Sequence, residues 1–176
     1  MPHTASELRI CGHHFVMGLL CDYFLAADDK QAGDVIDWPS GPARGAPKKG
    51  VFGRAVPGLP TVDGKGIEPV VNLGMLERLL TGKSFEEQLT DPASRPMVAV
   101  RDGGERLVIG IDGALVTALA RTDPDRLRSL AEPWSQIEEF GGLADPTDLA
   151  RFLEELRDLA TRATNSRQNL YCWICV

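Results

Sequence analysis

The two ends of the chain carry its most strand-like segments, and each is apolar on both faces. Residues 17–25, Met-Gly-Leu-Leu-Cys-Asp-Tyr-Phe-Leu, contain one carboxylate, Asp22, in an otherwise apolar run, and residues 170–176 are apolar throughout. A strand with two apolar faces is typical of the middle of a sheet, where both faces are covered. The sequence therefore predicts one sheet in which the first and last strands are central and adjacent.

Capping and periodicity signals predict several helices between these strands. Ser84 and Glu87 have the spacing of a capping box, and Asp145 followed by Pro146 begins the longest amphipathic stripe. Pro133 is expected to interrupt the helix and divide it in two, since proline has no backbone N–H group to donate a helical hydrogen bond. Helices are expected over residues 28–36, 67–81, 84–91, 114–121, 123–131 and 134–140, and from residue 145 onwards.

A hairpin is predicted in the middle of the chain. Residues 97–101 and 106–111 are apolar and rich in β-formers, and Asp102-Gly103-Gly104-Glu105 joins them as a turn. With the helices, this predicts a single α+β domain. Its sheet should be small and mostly antiparallel or mixed, with the first and last strands central, and several helices should pack on it.

Residues 39–66 form a contrasting segment. They contain five prolines and seven glycines, and their cations outnumber their single acid, Asp63. The cations are Arg44, Lys48, Lys49, Arg54 and Lys65. We expect a flexible basic loop, because no apolar run inside the segment could anchor it; a functional loop is the alternative.

The N-terminal residues 1–16 are expected to lie outside the folded domain. All three histidines, His3, His13 and His14, fall within them, and the strand-like run begins only at Met17. We interpret residues 1–16 as a disordered or mis-annotated extension with translation starting at Met17; a real but frayed terminus is the alternative. The folded domain then covers residues 17–176.

Charge and hydropathy exclude several classes of protein. The 176 residues include 19 Lys and Arg against 25 Asp and Glu, a net charge of −6, so an ordinary basic nucleic-acid-binding protein is excluded. No window approaches the roughly 18 to 20 apolar residues that a membrane span needs. Without an export signal and with four cysteines, we expect a bacterial-type cytoplasmic protein with reduced thiols.

Two motifs suggest chemistry but have structural interpretations. Leu80-Thr81-Gly82-Lys83-Ser84 resembles half of a phosphate-binding loop, yet Glu77 stands where the first glycine belongs, and helix capping explains the same residues. Cys172 and Cys175 lie three apart on a strand and so face opposite sides. We therefore predict no metal and no cofactor, with a site using Cys11 and His13 or His14 as the alternative.

The candidate site residues are carboxylates and aromatic side chains. Asp22 stands among core residues and needs a partner, a salt bridge, backbone hydrogen bonds or a ligand. Trp134 and Glu138 lie on one face of a short helix. We predict a pocket near the two central strands walled by Asp22, Tyr23, Trp134, Glu138, Tyr171 and Trp173.

The order of these parts resembles a known family. Met17-Gly18 with Tyr23-Phe24, the helix end Leu79-Leu80-Thr81-Gly82, the hairpin, and a long helix leading to a terminal strand with Trp173 are similar to the small bacterial YfbM-like proteins, a domain family of unknown function. An uncharacterised actinobacterial branch with a Cys-Asp-Tyr-Phe opening is the closer resemblance. It implies a single α+β domain over residues 17–176 and supplies no catalytic residues.

Two hypotheses about function follow. The chain contains no recognisable catalytic set, and its net negative charge suits a cationic partner. We therefore expect a protein-binding or interaction module that docks a basic protein such as a toxin or a regulator, rather than an enzyme. The alternative is a small hydrolase or transferase that uses Asp22 with Glu138 or Glu139.

Overall fold

The computed structural model describes residues 19–48, 53–91 and 94–176, and the expected N-terminal extension, residues 1–16, lies outside them. In the described part, five antiparallel strands form one sheet in the order β2-β1-β5-β4-β3. The strands are β1 Leu20–Ala26, β2 Thr61–Asp63, β3 Met97–Arg101, β4 Arg106–Gly110 and β5 Asn169–Cys175.

The central position of the first and last strands is confirmed. β1 pairs with β5 along its full length, from Leu20 opposite Cys175 to Ala26 opposite Asn169. On its other side β5 pairs with β4, and β1 pairs with the short strand β2. Both strands are buried at nearly every position, which agrees with their apolar sequence on both faces.

Seven helices lie in the described part of the chain, most of them at the predicted places. They are α1 Asp29–Asp34, α2 Asn72–Thr81, α3 Phe85–Thr90, α4 Gly113–Arg121, α5 Pro124–Ser129, α6 Ala131–Ser135 and α7 Pro146–Ser166. Five of these helices have an N-cap residue whose side chain accepts a hydrogen bond from a backbone N–H group of the first turn. At the start of α3, Ser84 and Glu87 form the predicted capping box.

Two helix boundaries differ from the prediction. The helix expected from residue 67 begins only at Asn72, because the Glu68 carboxylate accepts hydrogen bonds from the preceding backbone N–H groups and holds residues 68–71 in a turn. The helix expected over residues 134–140 is divided into α6 and a 3-10 turn, Glu138–Phe140. Since α6 begins at Ala131, Pro133 falls in its first turn, where a missing N–H removes no helical hydrogen bond.

The sheet separates two hydrophobic clusters. Cys21, Tyr23, Leu25, Cys172 and Ile174 point to one side, the helical face, which α2 and α4 to α7 cover. The alternate residues of β1 and β5 point to the opposite side, the loop face. It is covered by α1, the 3-10 turn Val35–Asp37, Trp38 and part of the segment 39–66.

The part of residues 39–66 before β2, as far as it is described, packs on the loop face. Ala46 and Val56 form an isolated bridge, and the backbone N–H of Leu59 donates to the carbonyl of Pro42. The segment also contains β2, a strand that the sequence did not indicate. Residues 49–52 lie outside the described residues, and the flexibility of the loop stays a prediction.

Candidate functional site

Six side chains are predicted to line one pocket, but in the structure they lie on both faces of the sheet and at the surface. Tyr171 and Trp173 belong to the loop-face cluster, and Asp22 lies opposite Trp173 in the strand pair. Tyr23 and Trp134 are buried in the cluster on the helical face, and Glu138 is exposed at the surface. One continuous pocket is therefore a wrong prediction, because the sheet lies between its expected walls.

Asp22 and Trp173 are packed against the segment that crosses the loop face. Gly41 lies over both of them: a Cβ atom at residue 41 would lie 3.2 Å from Asp22 Oδ2 and 3.3 Å from the Trp173 ring. Asp22 is 7% exposed. The two side chains therefore lie under a close backbone contact that leaves no space for a ligand of several atoms between them and Gly41.

Tyr23 and Trp134 use their polar atoms to fix the chain at the start of α2 and just before it. The Tyr23 hydroxyl donates to the carbonyl of Ile67 at 2.8 Å, and Trp134 Nε1 donates to the carbonyl of Asn72 at 2.9 Å. Both rings contact Phe152, at centroid distances of 5.6 Å and 6.1 Å. Burial raises the pKa of Tyr23 well above its ordinary value. Their role is structural, since satisfied buried groups of this kind hold a core together.

Glu138 belongs to an exposed acidic surface, which we call the acidic segment, residues 132–145. It carries four exposed carboxylates, from Glu132, Glu138, Glu139 and Asp145, and the sequence has no Lys or Arg between residues 128 and 151. Leu143, in the same segment, is 91% exposed. Exposed carboxylates and an exposed leucine within one segment are features that a basic partner with an apolar contact can match.

Local packing turns these carboxylates towards solvent. Trp134 is buried against Phe152 and contacts the half-buried Phe140 edge-on at 5.5 Å. These ring contacts hold residues 134–140 against the core. Gly141 and Gly142 then adopt positive φ angles of 58° and 73°, which reverse the chain before Leu143. Hydrogen bonding from Thr147 lowers the pKa of Asp145, which keeps this carboxylate charged.

A partly buried ionic cluster lies between α2, α3 and α4. Glu77 is completely buried, and Arg95 Nη2 lies 2.7 Å from its Oε2. Lys83 Nζ lies 3.3 Å from both Asp91 and Asp112 and 3.9 Å from Glu77. Lys83 is thus committed to three carboxylates rather than to a phosphate, in agreement with the helix-capping interpretation of its motif. Sequence reasoning missed the cluster; a charged residue, Glu77, in a predicted buried helix was its only signal.

The carboxylates of the alternative enzyme hypothesis do not share a site. Asp22 lies on the loop face under Gly41, whereas Glu138 and Glu139 follow α6 on the helical side of the sheet. General acid and base groups must both reach one substrate. No observation therefore favours a reaction that uses Asp22 together with Glu138 or Glu139.

The cysteines of the last strand face opposite sides, as predicted. Cys172 belongs to the cluster on the helical face, and Cys175 belongs to the loop-face cluster. Burial raises the pKa of the Cys172 thiol well above its ordinary value, so a reactive thiolate is disfavoured. Over residues 19–48, 53–91 and 94–176, no group of His, Cys, Asp and Glu side chains is placed to hold a metal ion. Cys11, His13 and His14 lie outside these residues.

The fold and the acidic surface define a single-domain α+β protein whose sheet is covered on both faces. In comparison with known proteins, no family model matches the chain, and no curated protein or solved structure is significantly similar to it. The resemblance to the YfbM-like proteins therefore stays a prediction. Among the described residues, none of the helices has the length and apolar character needed to cross a membrane.

Proposed function

We propose that this chain is a binding module that docks a basic protein partner through the acidic segment. The observation that carries the proposal is the combination at residues 132–145 of four exposed carboxylates, no cation, and a leucine that is 91% exposed. Single exposed leucines are common, but this one lies in a segment whose own exposed charges are all negative.

The charges and the leucine have separate roles. A group of carboxylates attracts a cationic surface over several ångströms and raises the rate of encounter, and salt weakens this effect. Leu143 then provides apolar area that is buried only in the complex. A matching partner presents Lys or Arg side chains around a small apolar depression.

The distribution of charge favours the helical side as the docking surface. Residues 39–66 carry five cations and one acid, a net charge of 5 − 1 = +4, although the whole chain has a net charge of −6. The described part of that segment before β2 packs on the loop face, beside the carboxylates of Asp29 and Asp34 on α1. The loop face therefore carries charges of both signs, whereas the exposed charges of the acidic segment are all negative and attract a basic partner.

Charge reversal tests the proposal. Wild-type protein immobilised at low ionic strength is expected to retain a basic protein from a bacterial lysate, and high salt should release it. The double variant Glu138→Lys/Glu139→Lys should retain about tenfold less or none. Leu143→Ala should weaken retention without changing its dependence on salt.

A matched double variant provides the control. Asp34→Lys/Glu86→Lys changes the net charge by the same amount at two exposed positions on α1 and α3, away from the acidic segment. It should retain the partner as the wild type does. Equal loss in both double variants would indicate a nonspecific effect of net charge, and the proposal would be wrong.

A further inference from the structure

A pocket of about 510 Å³ lies at one end of the sheet, away from the acidic segment. It lies where β4 ends and β5 begins, and α1, α4 and the last turns of α7 contribute to its walls. Pockets of this size hold small molecules. Tyr171, one of the residues expected from the sequence to contact a ligand, lines it.

One wall carries a carboxylate held by Tyr171. The Tyr171 hydroxyl donates to Asp29 Oδ1 at 2.8 Å, and Asn169 Nδ2 lies 3.4 Å from the same hydroxyl. Burial and the neighbouring Asp29 raise the pKa of Tyr171 to about 12. The hydroxyl therefore stays protonated at neutral pH and orients Asp29, whose other oxygen remains available to a ligand.

The pocket also contains a guanidinium group. Arg167 lines it and ends α7 in the left-handed conformation, with φ of 54°. Over the described parts of the chain, Arg167 has no carboxylate partner and Asp29 has no cationic partner. Opposite charges thus line one pocket without pairing with each other.

Apolar side chains complete the walls. Ile111, Val116 and Leu170, all buried or nearly so, line the pocket beside these charged groups. A ligand with an apolar part and two opposite charges can satisfy all three kinds of wall at once. Asp29 and Arg167 are both exposed to solvent. A purely anionic ligand would have only Arg167 as a charged partner, and a purely cationic ligand would have only Asp29.

We propose that this pocket binds a free amino acid or a short peptide, with the ligand's α-ammonium group on Asp29 and its α-carboxylate on Arg167. Arginine forms paired hydrogen bonds with a carboxylate, and a carboxylate is the usual partner of an ammonium group. The side chain of the ligand packs on the apolar wall. This inference does not depend on the docking of a basic partner.

Binding of defined probes tests the inference. The probes are L-leucine and L-leucyl-L-leucine, which distinguish a free amino acid from a short peptide, each measured by titration monitored through NMR shifts of the protein. At least one should bind in the micromolar to millimolar range and shift the side-chain amides of Gln168 and Asn169. The N-acetyl derivative lacks the ammonium charge and the C-terminal amide lacks the carboxylate, so each should bind at least about tenfold more weakly.

Two variants remove one charge each while preserving the fold. Arg167→Gly places glycine at a left-handed position that favours it, and Asp29→Asn keeps an oxygen that can accept from Tyr171. Arg167→Gly should abolish the preference for a free carboxylate, and Asp29→Asn the preference for a free ammonium. Arg162→Gln and Asp34→Asn, exposed positions on the same two helices, should leave affinity within about twofold of wild type.

Three outcomes would overturn the inference. The first is no shift with either probe in the millimolar range. The second is equal binding of the blocked and unblocked probes, and the third is equal affinity of the wild type and both pocket variants. Binding that is stronger for the unblocked probes and weakened by each pocket variant would support it.

Discussion

At the scale of single residues, the two tyrosines of the chain show how burial and hydrogen bonding act together. Tyr23 donates to the carbonyl of Ile67 on the helical face, and Tyr171 donates to Asp29 at the edge of the loop face. Both pKa values are raised because burial disfavours the tyrosinate anion. Each hydroxyl therefore contributes most to the folded state while it is protonated.

The raised pKa values predict how stability depends on pH. An unfolded tyrosine loses its proton near pH 10, whereas folded Tyr171 does so only at about 12. The folded state thus binds more protons in this range, and the free energy of unfolding should fall as pH rises through it. Spectrophotometric titration should show tyrosinate appearing together with loss of the far-UV circular dichroism signal.

The variant Tyr171→Phe separates the two groups. It removes one of the two titrating hydroxyls, so the alkaline loss of stability should become less steep. Tyrosinate absorbance that develops with an ordinary midpoint near pH 10, while the circular dichroism remains native, would contradict the assignment.

At the scale of secondary structure, β5 is the element on which the sheet depends. It pairs with β1 on one side and β4 on the other, and Tyr171 to Cys175 are all buried. Its removal would leave β1 and β4 without a shared neighbour and expose large side chains from both clusters.

A truncation tests this dependence. Deleting residues 171–176 should abolish the cooperative thermal transition, because losing two or three large buried side chains costs several kcal/mol, comparable to the stability of a domain. Deleting Val176 alone, which is 77% exposed, is the control and should change the melting temperature little. A truncated chain that melts cooperatively within a few degrees of the full chain would contradict the central placement.

Elements that depend on residues close together in the sequence could be predicted, whereas those that depend on distant residues could not. The positions of β1, β5, the hairpin and most helices follow from local apolar patterns and caps such as Asp145. The strand β2 has only three residues, Thr61–Asp63, too few for a recognisable alternation, and pairing with β1 defines it. The start of α2 depends on the side chain of Glu68, which no periodicity reveals.

The candidate site was only partly predictable for a related reason. Alternation along β1 was enough to place Tyr23 on the face opposite Asp22, so these two could not wall one pocket. Which helix covers which face is set by tertiary packing, and this decides that Trp134 lies on the side of Tyr23. The pocket with Asp29 and Arg167 joins residues far apart in sequence and has no local signal.

At the scale of the whole molecule, the sheet separates two surfaces of different charge. The segment 39–66 is basic, and its described part before β2 lies on the loop face beside the carboxylates of α1; the acidic segment follows α6 on the other side and carries no cation. In the proposed docking, this difference in charge orients the basic protein before contact. The proposed docking therefore uses one side of the molecule only.

Hydrogen exchange of the protein, with and without the basic partner retained in the capture experiment, tests this assignment most directly. Peptides covering residues 138–145 should exchange more slowly in the complex, because docking covers the surface around Leu143 and reduces local opening. Peptides covering residues 53–66 should exchange at the same rate in both states. Protection confined to the segment 39–66, with no change at residues 138–145, would contradict docking through the acidic segment.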